Sequence, residues 1–237
     1  EARSSNDVIN SFTVTMSILV ALTYRHKTGK GQYIDYSSRE GLSCLIGDAF
    51  MDYFMNGRIQ TRRANRDDIM APHNCYRCQG EDKWVSIAVR TEVEWRALVK
   101  AMGNPVWAKQ DKFCTGYTRW HNQDELDEHI NQWTQHFTAH QVMEKLQKIG
   151  VAAFPSVTGE DLLSDPHLAK RDTFDIIEHP LTGANVEITC PWKLSATPPQ
   201  NRRHAPLLGE HNEYVFKELL GLTSEEIAKL EAEKVFW

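Results

Sequence analysis

Chemistry in this chain could be carried by a few sets of residues. Asp7 precedes a long uncharged stretch, Asp35 lies beyond the basic turn that ends it, and Glu210-His211 sets an acid beside a base. Cys75-x-x-Cys78, with His73 close by, has the look of a metal or redox pair, and Arg58, Arg62, Arg63 and Arg66 could hold phosphates through guanidinium forks. Each set also has a plain structural reading. A structural zinc site needs four ligands, and no second Cys or His pair follows at ligand spacing. The Cys pair lies in a strand-like run, whereas a redox pair favours a helix amino terminus. Asp67 and Asp68 neutralise part of the arginine cluster, which then reads as a solvated loop. Gly29-Lys30-Gly31 lacks the longer glycine-rich turn of a phosphate loop and reads as a turn. Glu210-His211 has no nucleophile nearby and reads as a helix-start cap. By spacing alone, Asp7 is a first-turn acid facing a helix dipole.

The elements that must position these residues follow from periodicity and punctuation. Val8 to Tyr24 carries no charge but is interrupted by Asn10, Ser11, Thr13, Thr15, Ser17 and Thr23. A membrane span wants about 20 predominantly apolar residues, so a buried helix over 8–26, capped by Asn6 or Ser5, is expected instead. Arg25-His26-Lys27 in its last turn and Gly29 after it suit the dipole and a left-handed stop. A short strand at 32–37 and a helix over 39–55 come next. Polar residues 56–69 mark a boundary near Met70. Beyond it are expected a hairpin built on 74–78 and 84–89 and helices at 91–102, 122–134 and 140–149. Extended chain at 151–157, a strand run at 185–194 and helices from about 213 and over 223–233 complete the pattern. Thr223 and Glu226 have the spacing of a capping box.

Composition narrows the class. The 237 residues are 41 % hydrophobic and 25 % charged, enough for a real core. A net charge of −5 provides no basic field for a phosphate backbone, which argues against nucleic acid as a partner. Five irregularly spaced cysteines with no secretory leader ahead of them point to a reducing cytoplasm. Glu1 to Asn6 run straight into the long helix with no preceding strand, so the chain is expected to begin in mid-domain.

Several stretches, taken in order, are similar to one family. Asp7 through the uncharged helix to Arg25-His26-Lys27-Thr28-Gly29-Lys30-Gly31-Gln32 resembles the segment that follows the catalytic aspartate of class III CoA-transferases, the formyl-CoA and carnitine-type enzymes. Ile34-Asp35-Tyr36-Ser37 with Glu40, Ala71-Pro72-His73 with Tyr76, and Gly150-Val151 with Pro155-Ser156-Val157 continue the likeness. So do Asp165-Pro166-His167-Leu168, His179-Pro180, Thr197-Pro198 and Ala205-Pro206-Leu207-Leu208-Gly209-Glu210-His211.

The resemblance implies an α/β fold of the interlocked-dimer type. Residues 1–70 and 181–237 would belong to a Rossmann-like large domain, and 71–180 would form a smaller α+β domain. It places the family's catalytic aspartate on Asp7 and gives Asp35 a structural place on a strand. The implied activity moves CoA between an acyl-CoA thioester and a carboxylic acid, with CoA as substrate and no permanently bound cofactor or metal. An acyl-CoA racemase using the same aspartate for α-proton exchange, or a non-catalytic subunit of a heteromer, are the alternatives. The family's amino-terminal half, which supplies most CoA contacts, is absent from this sequence, so a complementary half or subunit in a homodimer or heteromer is expected. No glycine-rich loop that could close over the aspartate is visible, and neither nucleic acid nor membrane is an expected partner.

Overall fold

A computed structural model describes residues 5–235, with side chains from residue 7. The expected Asn6 or Ser5 cap therefore falls on side chains outside the described residues. Mixed α/β structure is built in chain order from α1 (Ser5–Thr28), α2 (Ser38–Ser43), α3 (Gly47–Asn56), β1 (His73–Arg77), β2 (Trp84–Ala88), α4 (Glu92–Ala101), α5 (Gly116–His121), α6 (Gln123–Thr134), α7 (Ala139–Gln147) and β3 (Ala152–Pro155). Then come α8 (Gly159–Leu163), α9 (Pro166–Lys170), β4 (Phe174–His179), β5 (Gly183–Ile188), a wide-pitched helical turn at Tyr214–Leu219, and α10 (Ser224–Ala232).

Nearly all the fully buried apolar side chains lie between Ala71 and Ala153. Strands β1, β2 and β3 form one antiparallel sheet, with Tyr76 opposite Val85 and Ile87 opposite Ala153. Side chains alternate between faces along a strand. Tyr76, Val85, Ile87 and Ala153 therefore point into the core, where α4, α6 and α7 meet them with Trp95 and Leu98, Leu126 and Ile130, and Val142 and Leu146. Those helical positions are three or four apart, one stripe per helix. Each such side chain taken from water contributes about 1.5–3 kcal/mol. Thr91 and Glu94 close a reciprocal capping box on α4, and Thr138 and Gln141 close another on α7, so both helices start where the sheet needs them.

Two polar clusters are built into this core. Tyr76 donates its hydroxyl to Asp127 at 2.7 Å, and Asn74 donates to the same carboxylate at 2.8 Å. Burial first, then the adjacent carboxylate, pushes the Tyr76 phenol well above its ordinary range, so it stays a donor. Tyr76→Phe should cost about 1–3 kcal/mol, because Asp127 loses a donor it cannot replace with water. A shift in the urea midpoint smaller than that of an exposed control such as Tyr117→Phe would contradict this. The second cluster surrounds Arg119, which is 1 % exposed. Its guanidinium donates to Glu92 at 2.7 Å and to the carbonyls of Ala71 and Phe113 at 3.1 and 3.2 Å, and it sits 4.7 Å above the Trp95 ring.

Other parts differ from the sequence reading. Helix α1 forms, but it is not buried in this chain. Phe12 is 65 % exposed, Met16 64 % and Leu19 56 %, because the short α2 is its main neighbour. Over Asp7–Thr28 this helix is long and apolar enough to cross a membrane by length and composition. Residues 32–37 are extended but pair with no strand among the described residues, so the expected strand there is absent. The expected helix over 39–55 is broken at Cys44–Ile46 into α2 and α3. The strand run expected at 185–194 starts earlier and stops at Ile188, paired with β4, which the sequence reading missed. Alternation fails as a signal in that ribbon because neither strand has a buried residue: β4 is at most half-buried and β5 is largely exposed.

Candidate functional site

Asp7 lies in the first turn of α1, where a carboxylate is favoured by the helix dipole. It is exposed and lines an open cavity of about 450 Å³ together with Asn10, Ser11, Val14, Thr15, Tyr36 and Ser38. Helical spacing explains the first four partners. Positions three, four and seven or eight residues on from Asp7 share its face. The Ser11 hydroxyl is committed to the Asp7 main-chain carbonyl at 2.6 Å, so it tightens the turn without engaging the carboxylate. Among the described residues no side chain donates to the Asp7 carboxylate.

Tyr36 closes the other wall. The extended segment after α1 returns the chain beside the helix, and the Tyr36 hydroxyl donates to Asn10 Oδ1 at 2.7 Å. Ser37 caps α2 by accepting from the Glu40 amide, which fixes where the chain leaves the cavity. Helical periodicity could have found Asn10, one turn from Asp7. Tyr36 had no such signal, since a contact over 26 positions depends on how the connector folds back. Asp35, the other candidate carboxylate, is exposed and does not line this cavity.

Most of the remaining candidates are held in structural roles, while Arg62 lines a polar recess with Arg63, Asp67 and Asp68. Arg58 pairs with Asp52 at 2.6 Å, Arg63 with Asp68, and Arg66 with Asp124 and, at 3.5 Å, Asp127. Hydrogen bonds from Arg58 and then Asn56 hold the Asp52 carboxyl below its usual range. Cys75 Sγ lies 3.3 Å from Ser86 Oγ on the open face of the sheet, whereas Cys78 is buried, so the two thiols do not converge. Burial pushes the Cys78 thiol up to about 11, which makes it an inert core residue. His73 Nδ1 contacts the Asn65 carbonyl at 2.5 Å. Glu210 accepts from the Leu207 amide at 2.7 Å and lies 3.6 Å from His204, while His211 lies 3.3 Å from Arg203. The backbone N–H of Leu207, then the nearby imidazoles, lower the Glu210 carboxyl. The helix that follows has no side-chain cap hydrogen bond, so the expected helix-start cap is replaced by a hydrogen bond within the preceding turn.

The chain belongs to CoA-transferase family III, whose profile matches residues 2–212. It is 33 % identical over 232 residues to a succinyl-CoA–D-citramalate CoA-transferase of Chloroflexus aurantiacus, covering 98 % of this chain and 58 % of that protein. It is 29 % identical over 222 residues to the beta subunit of a succinyl-CoA–L-malate CoA-transferase of the same organism, covering 93 % and 55 %. Among solved structures it resembles a CAIB/BAIF family protein from Brucella suis, with a TM-score of 0.78 and 25 % identity over 90 % of this chain and 55 % of that one. The chain thus spans little more than half the length of these relatives.

Proposed function

We propose that the chain carries the nucleophilic carboxylate of an acyl-CoA:carboxylate CoA-transferase, and that Asp7 is that nucleophile. The observation that carries the reading is the placement of Asp7 in the first turn of α1, facing a cavity, in a chain of this family. An Asp7 oxygen attacks the thioester carbonyl carbon, and collapse of the adduct expels CoA thiolate and leaves an acyl-aspartyl anhydride. The thiolate adds to the Asp7 carbonyl and expels the donor acid, giving an Asp7 thioester. The acceptor carboxylate displaces CoA from that thioester, and CoA then attacks the acceptor's carbonyl and frees Asp7. No proton is gained or lost overall. Water must be kept out, since both anhydrides hydrolyse readily.

The names of two relatives support succinyl-CoA as the first donor to test. The exposed apolar face of α1 supports a covering partner, either a complementary polypeptide half or a second subunit. In this reading residues 71–180 are the small domain, and 1–70 and 181–237 complete a Rossmann-like large domain in an interlocked dimer or a heteromer. The free cysteines fit a cytoplasmic enzyme.

The test is trapping. Incubating the active enzyme that contains this chain with succinyl-CoA and hydroxylamine should convert Asp7 to its hydroxamate, read by peptide mass. Exchange of the substrate's α-proton with solvent deuterium, with no Asp7 adduct, would instead mark a racemase. No adduct and no exchange would leave only a non-catalytic subunit.

A further inference from the structure

The carboxyl of Asp7 has to change character during the cycle just proposed, and the residue one turn along α1 is placed to serve the second role. In the first step Asp7 is a nucleophile. In the next two, its own carbonyl carbon is attacked, first by thiolate and then by the acceptor carboxylate, and the C=O π pair moves onto an Asp7 oxygen as a localised oxyanion. Such an oxyanion is stabilised by a donor fixed beforehand.

We propose that Asn10 is that donor, through Nδ2–H, and that Tyr36 is the positioning residue that orients its amide; this rests on Asp7 being the nucleophile. Side chains three apart on a helix have Cβ atoms roughly 5–6 Å apart, within reach of an amide-to-carboxyl hydrogen bond. Asn10 and Asp7 also line the same cavity. The Tyr36 hydroxyl donates to Asn10 Oδ1 at 2.7 Å, which fixes the amide plane and leaves the two Nδ2 hydrogens as its only donors. Among the described residues nothing accepts them. Gly41 makes room for this arrangement. A Cβ there would collide with the Tyr36 hydroxyl and lie 3.0 Å from its Cζ, so any larger residue would push the phenol off Asn10.

An N–H at this place favours a localised oxyanion over a delocalised carboxylate, so it acts when Asp7 is the electrophile. As the adduct collapses, the C=O re-forms and the bond to the leaving group breaks, with its electron pair departing on the donor acid in the second step and on CoA in the third.

Rapid quench of the active enzyme with succinyl-CoA separates the steps. Release of free CoA thiol reports the first, and the mass of the Asp7 peptide bearing CoA reports the second. Asn10→Ala should leave thiol release within about threefold of wild type but slow formation of the Asp7 thioester by about 10²- to 10³-fold, with KM little changed. Tyr36→Phe and Gly41→Ala should each slow that same step by about tenfold. The double variant Asn10→Ala/Tyr36→Phe should match Asn10→Ala alone, because the phenol acts through the amide. Asn10→Leu, similar in size but without a donor or a charge, should fail at the same step if the alanine variant folds poorly. Equal slowing of thiol release and thioester formation, no slowing of either, or additive effects would overturn the proposal. Wild type that forms no Asp7 adduct would instead overturn the nucleophile reading itself.

Discussion

Replacing Asp7 by alanine is expected to lower kcat/KM for CoA transfer by on the order of 10⁴-fold or more, the scale seen when a covalent nucleophile is removed from an acyl-transferring site. On the proposed mechanism, losing the aspartyl intermediates would force the acceptor acid to attack the thioester directly. Asp7→Glu should fare little better, since a displacement of about 1 Å can cost a hundredfold in a site that depends on alignment. Folding should be almost untouched by either change, because Asp7 is exposed and no side chain among the described residues donates to it. Substitutions at such positions shift stability by within about 0.5 kcal/mol. Transfer of CoA from succinyl-CoA to an acceptor acid, assayed with a matched unfolding curve, checks both halves of the expectation. A tenfold loss or less in the alanine variant would remove Asp7 from the chemistry.

The largest effect on stability is expected at Arg119. Its guanidinium satisfies Glu92 and two main-chain carbonyls while buried against Trp95, so truncation leaves several acceptors unpaired at once. Arg119→Met should cost about 2–4 kcal/mol, mostly from the two buried main-chain carbonyls left without a donor at about 1–3 kcal/mol each, because half-exposed Glu92 can turn to water and the ion pair itself adds little. Arg119→Lys should recover only part of it, since an ammonium cannot span the same fork of acceptors. The pair also sets an acid dependence. Hydrogen bonding from Arg119 lowers the Glu92 carboxyl below its ordinary value of 4.5. A carboxylate with a depressed folded-state pKa contributes its full stability above the unfolded value and loses it as pH falls through the folded one. Wild-type urea midpoints should therefore be flat in this contribution above about pH 4.5 and fall below it. The methionine variant should show a shallower fall, and an unchanged acid slope would show that the pair does not couple to unfolding.

Legibility in the sequence tracked burial. Helices α4, α6 and α7 were readable because Trp95, Leu98, Leu126, Ile130, Val142 and Leu146 recur at helical spacing against one core. The hairpin β1–β2 was readable because turn residues separate two β-rich runs. Around Asp7 the same reasoning was weaker. The apolar content of α1 indicated a buried helix, yet burial depends on neighbours, and among the described residues α2 is its main one. Residues 32–37 have strand-like composition, but a strand also needs a hydrogen-bonded partner, and none is present among the described residues. The Asp7–Asn10 face was implicit in i and i+3 spacing, whereas Tyr36 and Gly41 join it only through the fold-back of a connector. Arg119 and Asp127 were passed over because charged residues within helices ordinarily read as solvent-facing, and nothing local distinguishes these two.

The concentration of the core between Ala71 and Ala153 implies that this polypeptide does not open as one unit. Amide protons in β1, β2, β3 and α7 should exchange with deuterated water only through rare cooperative opening, while those of α1 and of the β4–β5 ribbon should exchange through frequent fraying. If a partner covers α1, as proposed, joining it to the chain should slow exchange across Asp7–Thr28 far more than within the sheet. Hydrogen–deuterium mass spectrometry would then show its footprint on the helix that bears Asp7, before any substrate is added, and unchanged exchange there would place the contact elsewhere.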